Sequence, residues 1–285
     1  MKIKFLVVIF VMFILSGCSF LNLSEVTTEE YKSPYATDVN GDYVPIHENV
    51  EESTLDPLLF YTDSDGRMQY SDSEQMLLTG IDVSVFQGDI DWNSVVNDNI
   101  DFVMLRVGYR GYGSKGIMEI DEKFFSNYEG AVNVGLEVGV YFYSQATNAE
   151  EAIEEAQFVL DAIKGLNVSF PIAYDWEYVD NDQARTADMT GAQITECADA
   201  FCDTIAAAGY TPLIYFNCEI GYFEYDLEKL TSYDFWLAEY GSYPSFIYDY
   251  KMWQYTANGS VRGIEGDVDL NICLVNYADR MVEYG

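Results

Sequence analysis

The feature that most constrains the fold is a series of short apolar runs, each bounded by glycine, proline or an acidic residue. The candidate strands among them are residues 77–86, 102–109, 138–144, 170–177, 212–217, 235–240, 252–256 and 268–273. Continuous apolar runs of this length are typical of strands that are buried on both faces. The chain therefore needs a fold that covers both sides of a sheet.

Helical patterns lie between several of these runs. The clearest cover residues 121–134, 149–163 and 191–208, and Asn148 and Thr190 are the candidate N-terminal caps of the last two. After about residue 233 the helical patterns fade. Strands that alternate with helices favour a parallel α/β barrel, so the sequence predicts an irregular TIM-like (β/α) barrel of about eight strands with fewer helices in its C-terminal part. Chemistry in such barrels gathers at the carboxyl ends of the strands.

The composition restricts the chemistry that this barrel can perform. The chain has a single histidine, His47, which lies in a stretch without a clear helix or strand pattern. Ser-His-Asp triads, Cys-His pairs and histidine-ligated zinc sites are therefore not expected, which leaves carboxylates as the acid and base groups. The formal net charge of −34 argues against binding to nucleic acid. No cofactor or metal is predicted, and we expect a monomer.

The amino terminus has the pattern of a lipoprotein signal peptide. Lys2 and Lys4 precede an apolar run at residues 5–15, which is too short to span a bilayer. The Leu-Ser-Gly-Cys sequence that ends at Cys18 resembles the bacterial lipobox. This resemblance implies removal of residues 1–17 and an extracytoplasmic protein anchored to the cell membrane by lipidated Cys18. The alternative is an ordinary cleaved signal peptide with a chance cysteine.

Residues 18–76 are rich in Ser, Thr, Asp, Glu and Asn and have no sustained apolar period, so we predict an acidic, flexible tether before a single domain at 77–285. As a random coil, such a tether has an end-to-end distance of roughly 40–45 Å. An apolar run at residues 58–61 is the exception and is a candidate for packing on the domain. The spacing of the four later cysteines shows no disulfide framework, and free thiols are expected at Cys197, Cys202, Cys218 and Cys273.

Two acidic residues stand at the end of one predicted strand. Asp175 and Glu177 close the run at 170–177, and residues two apart on a strand point to the same side. Like charges that are close together in a partly dry site raise one pKa, so one carboxyl can stay protonated near neutral pH while the other ionises. Glycoside hydrolysis needs this division of roles. The alternative is a solvated strand end at which the two acids begin a loop.

Two more acids interrupt apolar runs. Asp82 and Asp269 are each flanked by residues that should be buried, and a buried carboxylate is rare without a partner or a chemical role. They could meet Asp175 and Glu177 at the mouth of one barrel. They could equally be structural, bound to backbone amides or to an arginine such as Arg106.

Across residues 80–275 the segments GIDVSVFQGDIDW, FVMLRVGYRGYG, GVYFYS, PIAYDWE, PLIYFN, FWLAEY and MWQYTANGSVRGIEGDVDLN occur in this order. Together they resemble the glycoside hydrolase family 25 muramidases, the Chalaropsis-type lysozymes. The resemblance implies an irregular β/α barrel and a lysozyme (N-acetylmuramidase) that cleaves the β-1,4 bond between N-acetylmuramic acid and N-acetylglucosamine in peptidoglycan.

The resemblance also implies roles for individual residues. Glu177 resembles the general acid/base and Asp175 its partner carboxylate, while Asp82 and Asp269 match two further acids of the catalytic site. The segments that shape the substrate groove contain Tyr141, Tyr143, Tyr215, Trp236 and Gln254. Three residues depart from the family pattern. Phe86 and Phe142 stand where another aromatic residue or a histidine is common, and Glu239 is an additional acid. We expect Phe142 to alter the contacts with a sugar subsite and Glu239 to alter the pKa values of nearby acids.

Two other interpretations of the sequence remain open. One is a glycan-binding lipoprotein on a scaffold that has lost catalysis, although all four acids are present. The other is a hydrolase that uses the acids to hold a divalent metal ion. The expected partners are peptidoglycan glycan strands and, through the lipid anchor, the membrane. Whether the anomeric configuration is retained or inverted stays open.

Overall fold

The computed structural model describes residues 33–72, 74–181 and 183–279. The predicted signal peptide, the predicted lipidation site Cys18 and the first part of the predicted tether lie outside the described residues. The described strands are β1 (Tyr35–Thr37), β2 (Tyr43–Pro45), β3 (Phe60–Thr62), β4 (Met68–Tyr70), β5 (Leu78–Val83), β6 (Phe102–Arg110), β7 (Met118–Ile120), β8 (Glu137–Ser144), β9 (Ile172–Trp176), β10 (Pro212–Asn217), β11 (Asp234–Ala238), β12 (Met252–Gly259) and β13 (Val268–Cys273). The described α-helices are α1 (Trp92–Val96), α2 (Phe124–Asn133), α3 (Ala149–Ala162), α4 (Gly191–Ala207) and α5 (Cys218–Phe223).

The predicted barrel is confirmed. Its strands follow the order β5-β13-β12-β11-β10-β9-β8-β6, and pairing of β5 with β6 closes the ring. Seven of these eight strands are parallel, as predicted, but β13 runs antiparallel to both β12 and β5. The reason is the short connection after β12, which contains no crossover helix to return the chain to the other end of the barrel. The short strand β7 forms an antiparallel extension on β6.

Side chains alternate between the two faces of the strands and so build two cores. On β6, Phe102 and Met104 belong to a small cluster inside the barrel, while Val103 and Leu105 belong to the larger cluster between the strands and the outer layer. The interior cluster also holds Trp236 from β11. Burial on both faces explains why the strands are unbroken apolar runs in the sequence.

The predicted helices are present with their caps. The side chain of Asn148 accepts a hydrogen bond from the backbone N–H of Glu151 at the start of α3. Thr190 and Gln193 form a reciprocal capping box at the start of α4. These two helices pack against each other on the outside of the barrel, and each is amphipathic. The helical patterns in the sequence therefore correspond to helices that cover the outer face of the first half of the barrel.

The predicted tether is wrong over residues 34–72, which we call the N-terminal strap. The chain divides after Ser33, and the strap belongs to the same unit as the barrel. Its backbone forms hydrogen bonds with residues after β11, including Ser53 N–H to Ile247 O at 2.9 Å and Asp249 N–H to Glu51 O at 2.9 Å. The ring of Phe60 packs 5.1 Å from that of Trp253, which confirms that the apolar run at 58–61 contacts the domain.

The strap takes this position because the outer face of the last strands lacks helices. Trp253 and Tyr255 on β12 point away from the barrel interior and are buried in the outer core cluster. Strand β4 reaches the same place, where the backbone N–H of Met68 donates to the Tyr255 hydroxyl at 3.4 Å. The polar composition of the strap did not indicate that it packs on the barrel, because only a few of its residues, such as Val44 and Phe60, are buried.

The described part of the chain contains no helix that is long and apolar enough to cross a membrane. The four cysteines that it includes, Cys197, Cys202, Cys218 and Cys273, are not joined in disulfides, as predicted.

Candidate active site

One cavity of about 950 Å³ opens at the end of the barrel where the parallel strands terminate. All nine residues predicted for catalysis or substrate binding line it: Asp82, Asp175, Glu177, Asp269, Tyr141, Tyr143, Tyr215, Trp236 and Gln254. Residues that sequence reasoning did not assign to the site also line it, among them Phe86, Arg106, Tyr109, Tyr112 and Tyr240. The four acids, which come from three strands, therefore lie together at the barrel mouth, and their catalytic roles stay predictions.

Asp175 lies on β9 and Glu177 directly follows this strand, and both side chains line the cavity. Trp176, between them, points the other way and is buried in the outer core. Their side chains are hydrogen-bonded to each other. Burial, and then the charge of Glu177, raises the pKa of Asp175 well above its usual range, and burial raises the pKa of Glu177 as well. The pair therefore retains a proton at a pH where two isolated carboxyl groups would both be ionised.

Asp82 and Asp269 form a second pair on the opposite wall. They are register partners on the antiparallel strands β5 and β13, and their side chains share a hydrogen bond. Burial, and then the charge of Asp269, raises the pKa of Asp82 to about 8. Burial also raises the pKa of Asp269. In a parallel barrel the residues at the mouth come from the carboxyl ends of the strands. Because β13 is antiparallel, Asp269 instead lies at the mouth near the start of its strand.

Two side-chain amides hold Asp82. Gln254 Nε2 and Asn271 Nδ2 each donate to Asp82 Oδ2 at 2.8 Å. Trp236 Nε1 in turn donates to Asn271 Oδ1 at 2.8 Å. Asn271 was not predicted as a site residue, although its position two residues after Asp269 was a usable signal, because residues two apart on a strand face the same side.

Arg106 does not bind the acid pairs and instead pairs with Asp121. Its Nε donates to Asp121 Oδ2 at 2.8 Å, and its Nη2 lies 2.8 Å from the same oxygen. Its guanidinium group lies 5.0 Å from the centre of the Phe86 ring and 5.6 Å from that of Tyr109. The structural alternative of an Arg106 partner for Asp82 or Asp269 is therefore wrong. Its charge still reaches Asp175, whose pKa it lowers against the larger effect of burial.

Aromatic side chains form much of the remaining wall. The Trp236 ring makes edge contacts with Tyr215 and Tyr141, at centroid distances of 4.9 and 6.2 Å. Phe86 on the rim exposes 81% of its surface and Tyr240 exposes 58%. Exposed aromatic faces beside hydrogen-bonding carboxylates and amides are suited to the apolar face and the hydroxyl groups of a sugar.

Two of the three departures from the family pattern lie outside the cavity. Phe142 points from β8 into the outer core, where its ring is 5.7 Å from that of Phe158, so the expected effect on subsite contacts is wrong. Glu239 accepts hydrogen bonds from the Ser245 N–H at 2.8 Å and from the Cys218 thiol at 3.1 Å, and it does not line the cavity. The expected influence of Glu239 on the catalytic pKa values is therefore not seen. Of these three residues, only Phe86 lines the cavity.

Among residues 33–72, 74–181 and 183–279, no group of three or more His, Cys, Asp or Glu side chains has an arrangement that could hold a metal ion.

Comparisons with known proteins agree with this site. Residues 81–264 match the family model of the glycosyl hydrolases family 25. The chain is 29% identical over 199 residues to the autolytic lysozyme of Clostridium acetobutylicum, an alignment that covers 68% of this chain and 55% of that protein. It is 28% identical over 205 residues to lysozyme M1 of Streptomyces globisporus, covering 67% of this chain and 66% of that protein.

A solved structure resembles the fold. The modular autolysin LytC of Streptococcus pneumoniae superposes with a TM-score of 0.60 at 26% identity, covering 84% of this chain and 56% of that one. The same autolysin has also been solved in complex with a synthetic peptidoglycan ligand. The chain thus spans only about half the length of LytC and of the clostridial lysozyme.

Proposed function

Because this chain belongs to the glycosyl hydrolases family 25, we propose that it is a lysozyme, an N-acetylmuramidase that hydrolyses the β-1,4 bond between N-acetylmuramic acid and N-acetylglucosamine in peptidoglycan. The observation that carries the proposal is the meeting of two hydrogen-bonded acid pairs, Asp175–Glu177 and Asp82–Asp269, in one aromatic-lined cavity. The relatives named as lysozymes support the same reaction class.

In this proposal Glu177 is the general acid. It is the more exposed member of its pair, since Asp175 is only 5% exposed, so Glu177 is better placed to meet the glycosidic oxygen of a bound glycan. The proton that the pair retains passes from Glu177 to that oxygen as the bond to the sugar breaks. Water then adds its oxygen to the sugar carbon and returns a proton to Glu177, which restores the starting state.

The remaining carboxyl groups stabilise the positive charge that develops on the sugar ring. Asp175 and Asp82 are buried and Asp269 is half-buried, so the negative charge that a pair carries after losing one of its two protons acts through a medium that screens it less than water does. If the acetamido group of the substrate attacks first, the product retains its anomeric configuration, and direct attack by water inverts it. Proton NMR of the first product distinguishes the two routes by the coupling of the anomeric proton.

We also propose that Cys18 carries a lipid anchor. The unit that contains the barrel begins at Pro34, which is 16 residues after Cys18. A chain of that length reaches at most about 55 Å, at 3.3–3.6 Å per residue. This reach confines the barrel to wall material near the membrane and raises the effective concentration of glycan there. Incorporation of labelled palmitate, and its loss in Cys18→Ala, tests the anchor independently of catalysis.

The enzymatic proposal is tested by mass spectrometry of fragments released from purified peptidoglycan by the wild-type protein. A muramidase yields muropeptides with N-acetylmuramic acid at the new reducing end. A glycan-binding protein releases no reducing ends. Fragments that end in N-acetylglucosamine would contradict the assigned bond.

A further inference from the structure

Asp82 is held by a chain of hydrogen bonds whose direction follows from the donor and acceptor chemistry of its members. The indole Nε1 of Trp236 can only donate, so the atom of Asn271 that it contacts at 2.8 Å must be the carbonyl oxygen. The NH₂ group of Asn271 therefore points to Asp82 Oδ2. An indole on β11 thus sets the orientation of an amide on β13.

Gln254 completes the arrangement from β12. Its Oε1 lies 3.0 Å from the hydroxyl groups of both Tyr215 and Tyr240, which donate to it, and its NH₂ group is directed at Asp82 Oδ2. Asn271 is fully buried and Gln254 is 3% exposed, so water does not compete for these bonds. We call Trp236, Asn271 and Gln254 together with the two tyrosines the amide clamp.

Two N–H donors on Oδ2 make that atom an unfavourable place for a proton. Asp82 and Asp269 share a hydrogen bond. When Asp82 supplies the proton of that bond, the proton is favoured on the oxygen that accepts neither amide hydrogen. We infer that Asn271 and Gln254 are positioning residues: they fix Asp82 so that its proton lies between Asp82 and Asp269, and Trp236 fixes Asn271. The inference deepens the proposed function, since it concerns the second acid pair of the same site.

The clamp also has a predictable electrostatic effect. Both amides donate to the carboxylate form of Asp82 and so lower its pKa, against the larger opposite effects of burial and of Asp269. Loss of one donor leaves the ionised form less stable. We therefore expect Asp82 to keep its proton to higher pH in Asn271→Leu, by about 1–2 pH units if one hydrogen bond to a charged group is lost.

The test does not depend on catalysis. Urea unfolding is measured from pH 4 to pH 10 for the wild type, Asn271→Leu and Trp236→Phe, each with and without Asp82→Asn. The difference in the free energy of unfolding within each pair, plotted against pH, reports the titration of Asp82 together with its effect on Asp269. We expect the midpoint of this difference curve to move upward in Asn271→Leu and, by a smaller amount, in Trp236→Phe, which keeps Asn271 but removes the N–H that orients it.

Gln145→Met is the matched control. Gln145 is also a fully buried amide, bonded to Ser144 O and Thr186 Oγ1 at 2.9 Å each, but it does not line the cavity. The difference in unfolding free energy with and without Asp82→Asn should depend on pH in Gln145→Met as it does in the wild type. Coinciding curves for Asn271→Leu and the wild type would overturn the clamp, whatever the activity.

The pH profile of kcat/KM on peptidoglycan gives a second readout. In Asn271→Leu the pKa of Asp82 that appears in this profile should also rise. If Asn271 had only a structural role, its substitution would lower kcat/KM equally at every pH. Absence of hydrolysis by the wild type would refute the proposed function, whereas the unfolding curves would still decide whether the clamp exists.

Discussion

Asp82 and Asp269 are register partners on antiparallel strands and share a hydrogen bond, although they lie near opposite ends of the barrel sequence. Closure of the barrel brings β13 back beside β5, and the reversed direction of β13 places Asp269 at the mouth. The second acid pair thus exists only because the last strand breaks the parallel pattern of the others.

Glu177→Gln should reduce turnover of purified peptidoglycan by about 10²–10⁴-fold, the usual contribution of a general acid, because the amide cannot supply the proton. Affinity for an uncleaved glycan should change little, since the substitution preserves shape. Turbidity loss of a wall suspension measures the rate, and calorimetry measures the binding. Hydrolysis at the wild-type rate would show that another group is the proton donor.

Asp82→Asn should change how stability depends on pH. The pKa of Asp82 is raised from 3.8 to about 8 in the folded protein, so the folded state binds this proton more tightly than the unfolded chain does. Its contribution to stability is then fully present below about pH 4 and is lost as the pH rises toward 8. In urea unfolding from pH 4 to pH 9, the wild type should lose more stability than Asp82→Asn. Parallel curves for the two proteins would contradict the raised pKa.

Phe60→Ala tests the strap. The Phe60 side chain is 7% exposed and packs on Tyr70 and Trp253, so its removal should lower the free energy of unfolding by about 3–5 kcal/mol. Leu58→Ala is the matched control, because Leu58 is 67% exposed and should change stability by less than about 0.5 kcal/mol. Equal, small effects of the two substitutions would mean that the strap contributes nothing to the stability of the barrel.

Phe86→Ala tests the rim of the cavity. The exposed ring lines the cavity beside Arg106, and loss of a stacking contact of about 0.5–1.5 kcal/mol should raise KM by roughly 2–10-fold with little change in folding stability. Phe125→Ala removes another exposed ring, which lies on α2 and does not line the cavity, and should leave KM unchanged. Unchanged KM in Phe86→Ala would remove this residue from the substrate path.

The two acid pairs show how far the sequence could lead. Asp175 and Glu177 were found from the two-residue period of a single strand, which is local information. Asn271 carried the same local signal relative to Asp269, but its partners Trp236 and Asp82 come from distant segments, so its role was visible only in the fold. The packing of the strap was not predicted because residues 34–72 bury few side chains of their own and cover apolar residues that belong to the barrel, such as Trp253 and Tyr255.

By itself the sequence determined the barrel, its helices and their caps, and the chemical identity of the acids, because apolar periodicity, capping residues and the single histidine are local properties of the chain. The tertiary structure alone decided the direction of β13, the coverage of the outer face by the strap, and the hydrogen-bond partners of Asp82. These depend on contacts between residues that are remote in sequence, and such contacts are defined only when the barrel closes.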